Sequence, residues 1–492
     1  MSEQFTRPEP DVEPRHEGVA PPPKILLWII LGLFVMAIVG SIGAVVVFRS
    51  VLLPAQQQRV IDQLPFMRAF MAPTPQGGTL PTAMPADSDI SPDDLLSAPL
   101  ELPTSTTVPT SEPTEAAAII QVEPSATITQ TATPTVAPSA TPTQLPPTAT
   151  PVVESTPETT NNASVNSDAQ AISIPSLPAS ARMFGFVHTQ QSWNNCGPAN
   201  ITMALSYYGW QRDQSYAAQL LKPDREDKNV SPHEMVGFVN ENSDLRAINR
   251  LGGDLTMLKQ FIAAEIPVII ETGYMPEGYD WLGHYQTVVA YDDLQDVMYL
   301  YDSYLGIGGG EGLAETYVDL DRNWKHFNRT FIVIYPPDRE GDVREILGER
   351  ADPERAAKLA LEVAQKEARA NPRDTFALFN MGTSLTRLGR YEEAADAYDL
   401  ARRDGTLPWR IIWYQFGPFE AYFNAGRYDD VMALVDINLT NGAQYVEETY
   451  YWQGRVLEAR GDLSGARQAF NRALQHNYLY ADAREALDSL NA

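Results

Sequence analysis

The sequence predicts an α+β domain followed by an all-α solenoid, both set behind one transmembrane helix and a disordered Pro/Thr/Ser-rich stalk. Three observations carry that prediction. Ile25 to Phe48 is an apolar run without a single charge. Ala72 to Ser180 contains no Lys, no Arg and no aromatic residue. Beyond Glu340 the apolar period turns helical, punctuated by glycines at 389, 426 and 461. Between the stalk and the solenoid, residues 181–340 mix helix-period stretches with short β-branched runs, which suits segregated helices and strands.

Residues 1–24 form a short polar tail ending in Pro21-Pro22-Pro23-Lys24. Residues 25–48 are long enough to cross the roughly 30 Å hydrocarbon core as a helix. The run has no polar face, and Arg49-Ser50-Val51-Leu52-Leu53-Pro54 offers no small-residue cleavage site. Both features point to an uncleaved signal anchor rather than a removed signal peptide. Arg7, Arg15 and Lys24 before the span nearly balance Arg49, Arg59 and Arg68 after it, so charge alone does not orient the helix. Residues 49–71 are a juxtamembrane segment. The stalk, 72–180, lacks the large apolar side chains that could offset chain entropy. Its Thr/Pro composition matches surface stalks or plain linkers, and it places the domains beyond it outside a cell membrane crossed once.

A net charge of −27 over 492 residues argues against nucleic acid as a partner. No motif suggests a metal or an organic cofactor, so none is expected. Gly306-Ile307-Gly308-Gly309-Gly310 lacks the Lys-Ser/Thr and strand–helix context of a phosphate loop. It reads instead as a mobile loop.

Cys196 is the only cysteine, so it forms no internal disulfide and no multi-cysteine zinc site. Pro198 suits the first position of a helix, and Ile201, Ala204, Leu205 and Tyr208 recur at helical spacing. Cys196 therefore sits just outside a helix N-terminus, where backbone N–H groups and the helix dipole favour a thiolate. Trp281 to Tyr291 reads as a strand, Asp292 to Asp296 as a turn, and Val297 to Ser303 as the returning strand. A hairpin folded about 293–294 puts His284 opposite roughly position 303, beside Asp302 or Ser303. Nucleophile, base and orienting group then occur in the order Cys196, His284, Asp302. A glutamine shortly before the cysteine, Gln190 or Gln191, can donate to an oxyanion.

Asn195-Cys196-Gly197-Pro198-Ala199, Gly283-His284-Tyr285 and Asp302-Ser303, together with the preceding glutamines, resemble the bacteriocin-processing, double-glycine-leader peptidases and their stand-alone relatives in the papain clan. The likeness spans about residues 181–337. It implies an α+β papain-like domain in which Cys196 is the nucleophile, His284 the base and acid, and Asp302 the orienting carboxylate. The family's oxyanion glutamine usually lies six residues before the cysteine, which selects Gln190; Gln191 remains an equally suitable side chain. Asn195 stands where transporter-linked members often carry Asp, and no transporter domain follows, so a double-glycine leader is a poor guess for the substrate.

Within the same domain, Lys222 to Val230 reads as a charged loop. Ser231-Pro232-His233-Glu234 is a capping box that makes His233 a solvated first-turn residue. His326 is a rival base without an evident carboxylate. Gly273 to Gly283, holding Trp281, is a loop expected to line the substrate cleft.

Residues 341–492 hold Leu388-Gly389-Arg390-Tyr391-Glu392-Glu393-Ala394, echoed at Ala425-Gly426-Arg427-Tyr428 and Arg460-Gly461-Asp462-Leu463. This pattern closely resembles tetratricopeptide repeats, whose period is about 34 residues. Pro353 to Ala370 is expected to add a capping helix, and Gly417-Pro418 to disturb the middle repeat. The likeness implies a concave surface for a peptide or protein partner, or a prop for the neighbouring domain. The sequence thus describes a membrane-anchored cysteine peptidase acting on peptide or protein substrates. A non-catalytic peptide-binding protein and an amide transferase on the same fold are the alternatives.

Overall fold

The computed structural model describes residues 24–50, 60, 64, 67, 79–81, 92–97, 177–275 and 280–490. The polar tail, most of the juxtamembrane segment and most of the stalk lie outside the described residues. Helix α1 (Lys24–Ser50) is followed by a short α2 (Pro92–Ser97). The Leu31–Phe48 part of α1 is long and apolar enough to cross a membrane.

The next domain starts with β1 (Ser180–Arg182), then α3 (Cys196–Ser206), α4 (Gln214–Leu221), α5 (Pro232–Asn242), β2 (Arg246–Arg250) and α6 (Leu255–Ala263). It continues through β3 (Val268–Tyr274), β4 (Leu282–Asp292), β5 (Val297–Asp302), β6 (Leu313–Thr316), α7 (Tyr317–Lys325), β7 (Phe331–Tyr335) and α8 (Glu340–Leu347). Helix starts carry their caps: Asp213 accepts from Ser215 N at 3.1 Å, and Asp254 from Met257 N at 2.8 Å.

The strands form one antiparallel sheet in the order β2-β7-β3-β4-β5-β6, with β1 paired to the end of β4. Helices cover both faces. Ile201, Leu205, Met235 and Phe238 from α3 and α5 pack with Ile269, Tyr285 and Ile334 on one face. Leu258, Phe261 and Trp324 pack with Val288, Leu300 and Val333 on the other. This explains β7, Phe-Ile-Val-Ile-Tyr, buried at every position because neither face meets water. Val343 and Leu347 of α8 belong to the second core, so the sheet domain extends past residue 340, its expected end.

The remaining helices are α9 (Pro353–Ala370), α10 (Thr375–Arg387), α11 (Tyr391–Arg403), α12 (Gly417–Asn424), α13 (Tyr428–Thr440), α14 (Glu447–Ala459), α15 (Leu463–His476) and α16 (Ala481–Ser489). α10 packs on α11, α12 on α13 and α14 on α15. A Cβ added at Gly382 would sit 2.7 Å from the Tyr398 ring, and one at Gly454 would sit 2.4 Å from Phe470. Small residues on one helix thus admit an aromatic from the next.

Two further expectations change. Leu80 and Leu95, inside the expected stalk, are buried in the helical region's core. Leu80 N donates to Leu407 O at 3.0 Å and Gln365 Nε2 to Leu95 O at 3.2 Å; these two leucines are the apolar anchors that composition averaged over the stalk conceals. Trp281 is not a cleft residue either. It is buried against Phe327, Phe376 and Tyr414, where the sheet domain and the helices share one core.

Candidate active site

Cys196 is the first residue of α3, so Pro198 occupies the third helical position rather than the first. It is tolerated there because N–H groups of the first turn have no intrahelical acceptor. The loop ahead is fixed by Gln214, whose Oε1 accepts from Ser192 N at 2.8 Å and Asn195 Nδ2 at 3.3 Å.

His284 enters from β4 and Asp302 from the end of β5, with Nε2 and Oδ1 3.0 Å apart. The register differs by one from the expected hairpin. An irregularity between Val288 and Ala290 shifts the ladder, and Gln286, not His284, pairs with Asp302. His284 reaches the carboxylate diagonally. Fully buried Asp302 is nonetheless saturated: Oδ1 also accepts from Tyr304 N at 2.6 Å and Leu305 N at 2.7 Å, and Oδ2 from Gln286 Nε2 at 2.9 Å. With Nε2 committed to Asp302, the ring's Nδ1 is left for the hydrogen bond that His284 makes with Cys196.

The electrostatics follow from these contacts. Burial pulls His284 down, but the charge and hydrogen bond of Asp302, with Cys196, raise it to about 10. Burial pushes the Cys196 thiol up, yet His284 and the backbone N–H groups of Tyr285 and Gly197 bring it net below its ordinary value. Burial likewise opposes Asp302, and His284 with the two backbone donors holds it below the usual carboxylate range. Donors aimed at charged forms outweigh desolvation, and the arrangement favours a thiolate beside an imidazolium.

Asn200 and Gln286 are polar residues that the sequence reading passed over. Buried Asn200 shares its Nδ2 hydrogens among Cys196 O (3.0 Å), Tyr285 O (2.7 Å) and Ser303 Oγ (3.1 Å), while its Oδ1 accepts from Thr287 Oγ1 at 2.9 Å. One amide thus ties the cysteine helix to both strands. Gln286 relays Asp302 to Thr272, whose Oγ1 donates to Gln286 Oε1 at 2.9 Å. A buried-face Asn four residues after the cysteine, and a Gln two after the histidine, were the available signals.

Gln190 donates from Nε2 to Tyr304 O at 2.6 Å. Gln191 is bound twice to Ser303, donating N–H to its carbonyl and accepting from its Oγ, both at 2.8 Å. His233 is exposed at the start of α5. His326 stacks on Phe376 at 3.8 Å, its Nδ1 lies 2.7 Å from Gly273 O, and burial lowers it to about 4. It is a packing residue. The loop Gly306 to Gly312 folds back on Asp302, which exchanges two backbone hydrogen bonds with Gly306 at 3.0 and 3.1 Å. The Lys222 to Val230 loop is not solvated throughout: Lys222, Asp227 and Asn229 are buried, with Asn229 Nδ2 donating to Glu448 Oε1 at 2.9 Å.

Residues 185–330 match the family described as "Peptidase_C39 like family". This segment is accordingly a cysteine-peptidase-type domain of the C39-like kind. A solved structure described as a C39-like peptidase from Bacillus anthracis is similar at 14% identity, covering 32% of this chain and 96% of that one, with a TM-score of 0.26. No curated protein matches the chain.

Proposed function

We propose that the chain is a membrane-anchored cysteine peptidase, with its sheet domain and helical region outside the membrane. The observation that supports this most is the run of contacts from Cys196 through His284 to a fully hydrogen-bonded, buried Asp302. Cys196 thiolate attacks the scissile carbonyl carbon, and the carbonyl electron pair moves onto oxygen. The Gln190 amide, held beside the Asp302 turn by Tyr304 O, donates to that oxyanion. Gln191, bound twice to Ser303, is a structural post. His284 gives its proton to the leaving amine as the C–N bond breaks, leaving a thioester. It then takes a proton from water, which attacks the thioester and returns the thiolate. Asp302 holds the ring and stabilises its charge.

The helical region is proposed to be a tetratricopeptide-type array, supported by its paired helices and by Gly389, Gly426 and Gly461 with φ of 70°, 73° and 82°. A peptide or protein partner would bind its surface. Incubation of the full chain with a fluorogenic peptide library tests the peptidase activity. Hydrolysis is expected, and Cys196→Ala should lower kcat at least about 10³-fold without shifting the melting temperature. Undiminished hydrolysis by that variant rejects the mechanism.

A further inference from the structure

The sheet domain and the helical region line an open cavity of about 830 Å³. Glu271 and Phe327 line it from the sheet side, and Arg387, Tyr414, Glu420 and Glu448 from the helices. Two of these residues connect it to the candidate active site. Glu271 lies opposite Tyr285 in the β3–β4 ladder, and the Tyr285 backbone N–H in turn hydrogen-bonds to Cys196. Tyr414 closes on Gly283, where an added Cβ would sit 3.0 Å from the tyrosine ring. Cys196, His284 and Asp302 are not among the lining residues; the cavity approaches the candidate site through Glu271 and Tyr414, whose ionisation a thiolate at Cys196 disfavours.

Its charge is one-sided. Glu271, Glu354, Glu420, Glu448 and Asp482 face Arg250 and Arg387. Glu271 is 4% exposed and has no ion pair among the described residues. Its polar neighbour is the Tyr285 hydroxyl, which is hydrogen-bonded to it and also donates to Val230 O at 2.8 Å. Burial first, and then Cys196, hold the Glu271 carboxyl well above the ordinary range. Glu448, 6% exposed, has one oxygen on Asn229 and leaves Oε2 without a partner. Glu271 and Glu448 thus border this volume as buried carboxyls without an ion pair among the described residues, although Arg250 and Arg387 line other parts of it.

Building on the peptidase proposal, we infer that this cavity is a subsite for a basic side chain of the substrate, Lys or Arg, with Glu271 as the specificity-determining carboxylate. The helical region is its outer wall. Entry of the ammonium or guanidinium group releases the carboxyl proton to solvent and leaves a carboxylate–cation pair. The net charge of −27 steers such substrates inward.

The test uses the full-length chain in detergent, carrying Cys196→Ala so that nothing is turned over. It is titrated with fluorescein-labelled octapeptides that differ only in one residue, Arg or its neutral isostere citrulline, walked through each position. At one position or more the Arg peptide should bind at least about tenfold tighter, the equivalent of one charge-assisted hydrogen bond. Glu271→Gln should reduce its affinity to that of the citrulline peptide. Equal affinities at every position, or a preference that survives Glu271→Gln, overturns the inference. The Arg-against-citrulline comparison needs no change at Glu271, so misfolding of that variant leaves the test decisive. Binding is also independent of turnover. A chain that prefers Arg but cleaves nothing keeps the subsite and loses the peptidase proposal; one that cleaves without preferring Arg does the reverse.

Discussion

Two of the buried polar clusters among the described residues have opposite character. Around Asp302 the carboxylate oxygens accept from two backbone amides, a glutamine and a histidine. At the seam with the helices, Asp227 and Glu234 meet Glu447 and Glu448 with too few donors. Asn477 donates to Glu447 Oε1 at 2.6 Å and Asn229 to Glu448 Oε1 at 2.9 Å, yet Oε2 of each glutamate has no partner. Burial raises Asp227 to about 7 against the pull of buried Lys222, and burial with the repulsion of neighbouring carboxylates raises the glutamates well above their ordinary value. Equal burial therefore gives charge in one place and bound protons in the other. The donors decide.

Removing charge from the first cluster should have the largest effect. Asp302→Asn keeps the shape but removes the main support of the His284 cation, and kcat/KM should fall about 10³–10⁴-fold. Gln190→Ala should lower kcat about 10²-fold, as loss of one oxyanion donor does, while Gln191→Ala acts mainly on stability. Asn200→Ala strips Cys196 O, Tyr285 O and Ser303 Oγ of a shared donor. Urea unfolding should show a loss of about 2–3 kcal/mol. Thermal unfolding of Glu448→Gln tests the second cluster. Glu448's folded pKa is raised, so the folded state binds more protons than the unfolded one, and the wild type loses stability as pH rises above the unfolded value of about 4.3. The variant does not titrate. It should be more stable by on the order of 1–2 kcal/mol above neutrality, with the difference vanishing near pH 4.

The chain displays Cys196, His284 and Asp302 in order, and the strand pattern of Trp281 to Ser303 is enough to bring the last two side by side. Repeat glycines likewise mark the helical pairs. Asn200 and Gln286 were harder to see because their roles exist only once α3, β4 and β5 meet; in the sequence each is an ordinary amide. Trp281 misled for a related reason. An aromatic in a loop looks available for substrate until Phe327, Phe376 and Tyr414 from distant segments close over it. Leu80 and Leu95 are two apolar residues in a long polar stretch, and average composition cannot single them out. Glu271 sits in a buried strand, where a carboxyl has no local signature of purpose. Contacts between residues far apart in sequence settle each case.

The most direct test of the central claim, an activated Cys196 paired with His284, is the pH dependence of alkylation. The full-length chain and its His284→Ala variant would be treated with iodoacetamide across a wide pH range, with the modified residue located by mass. The thiolate–imidazolium pair predicts rapid alkylation of Cys196 well below the ordinary thiol pKa of about 8.5, markedly slowed in the variant. Sluggish alkylation that follows an ordinary thiol titration, unchanged by His284→Ala, would contradict it.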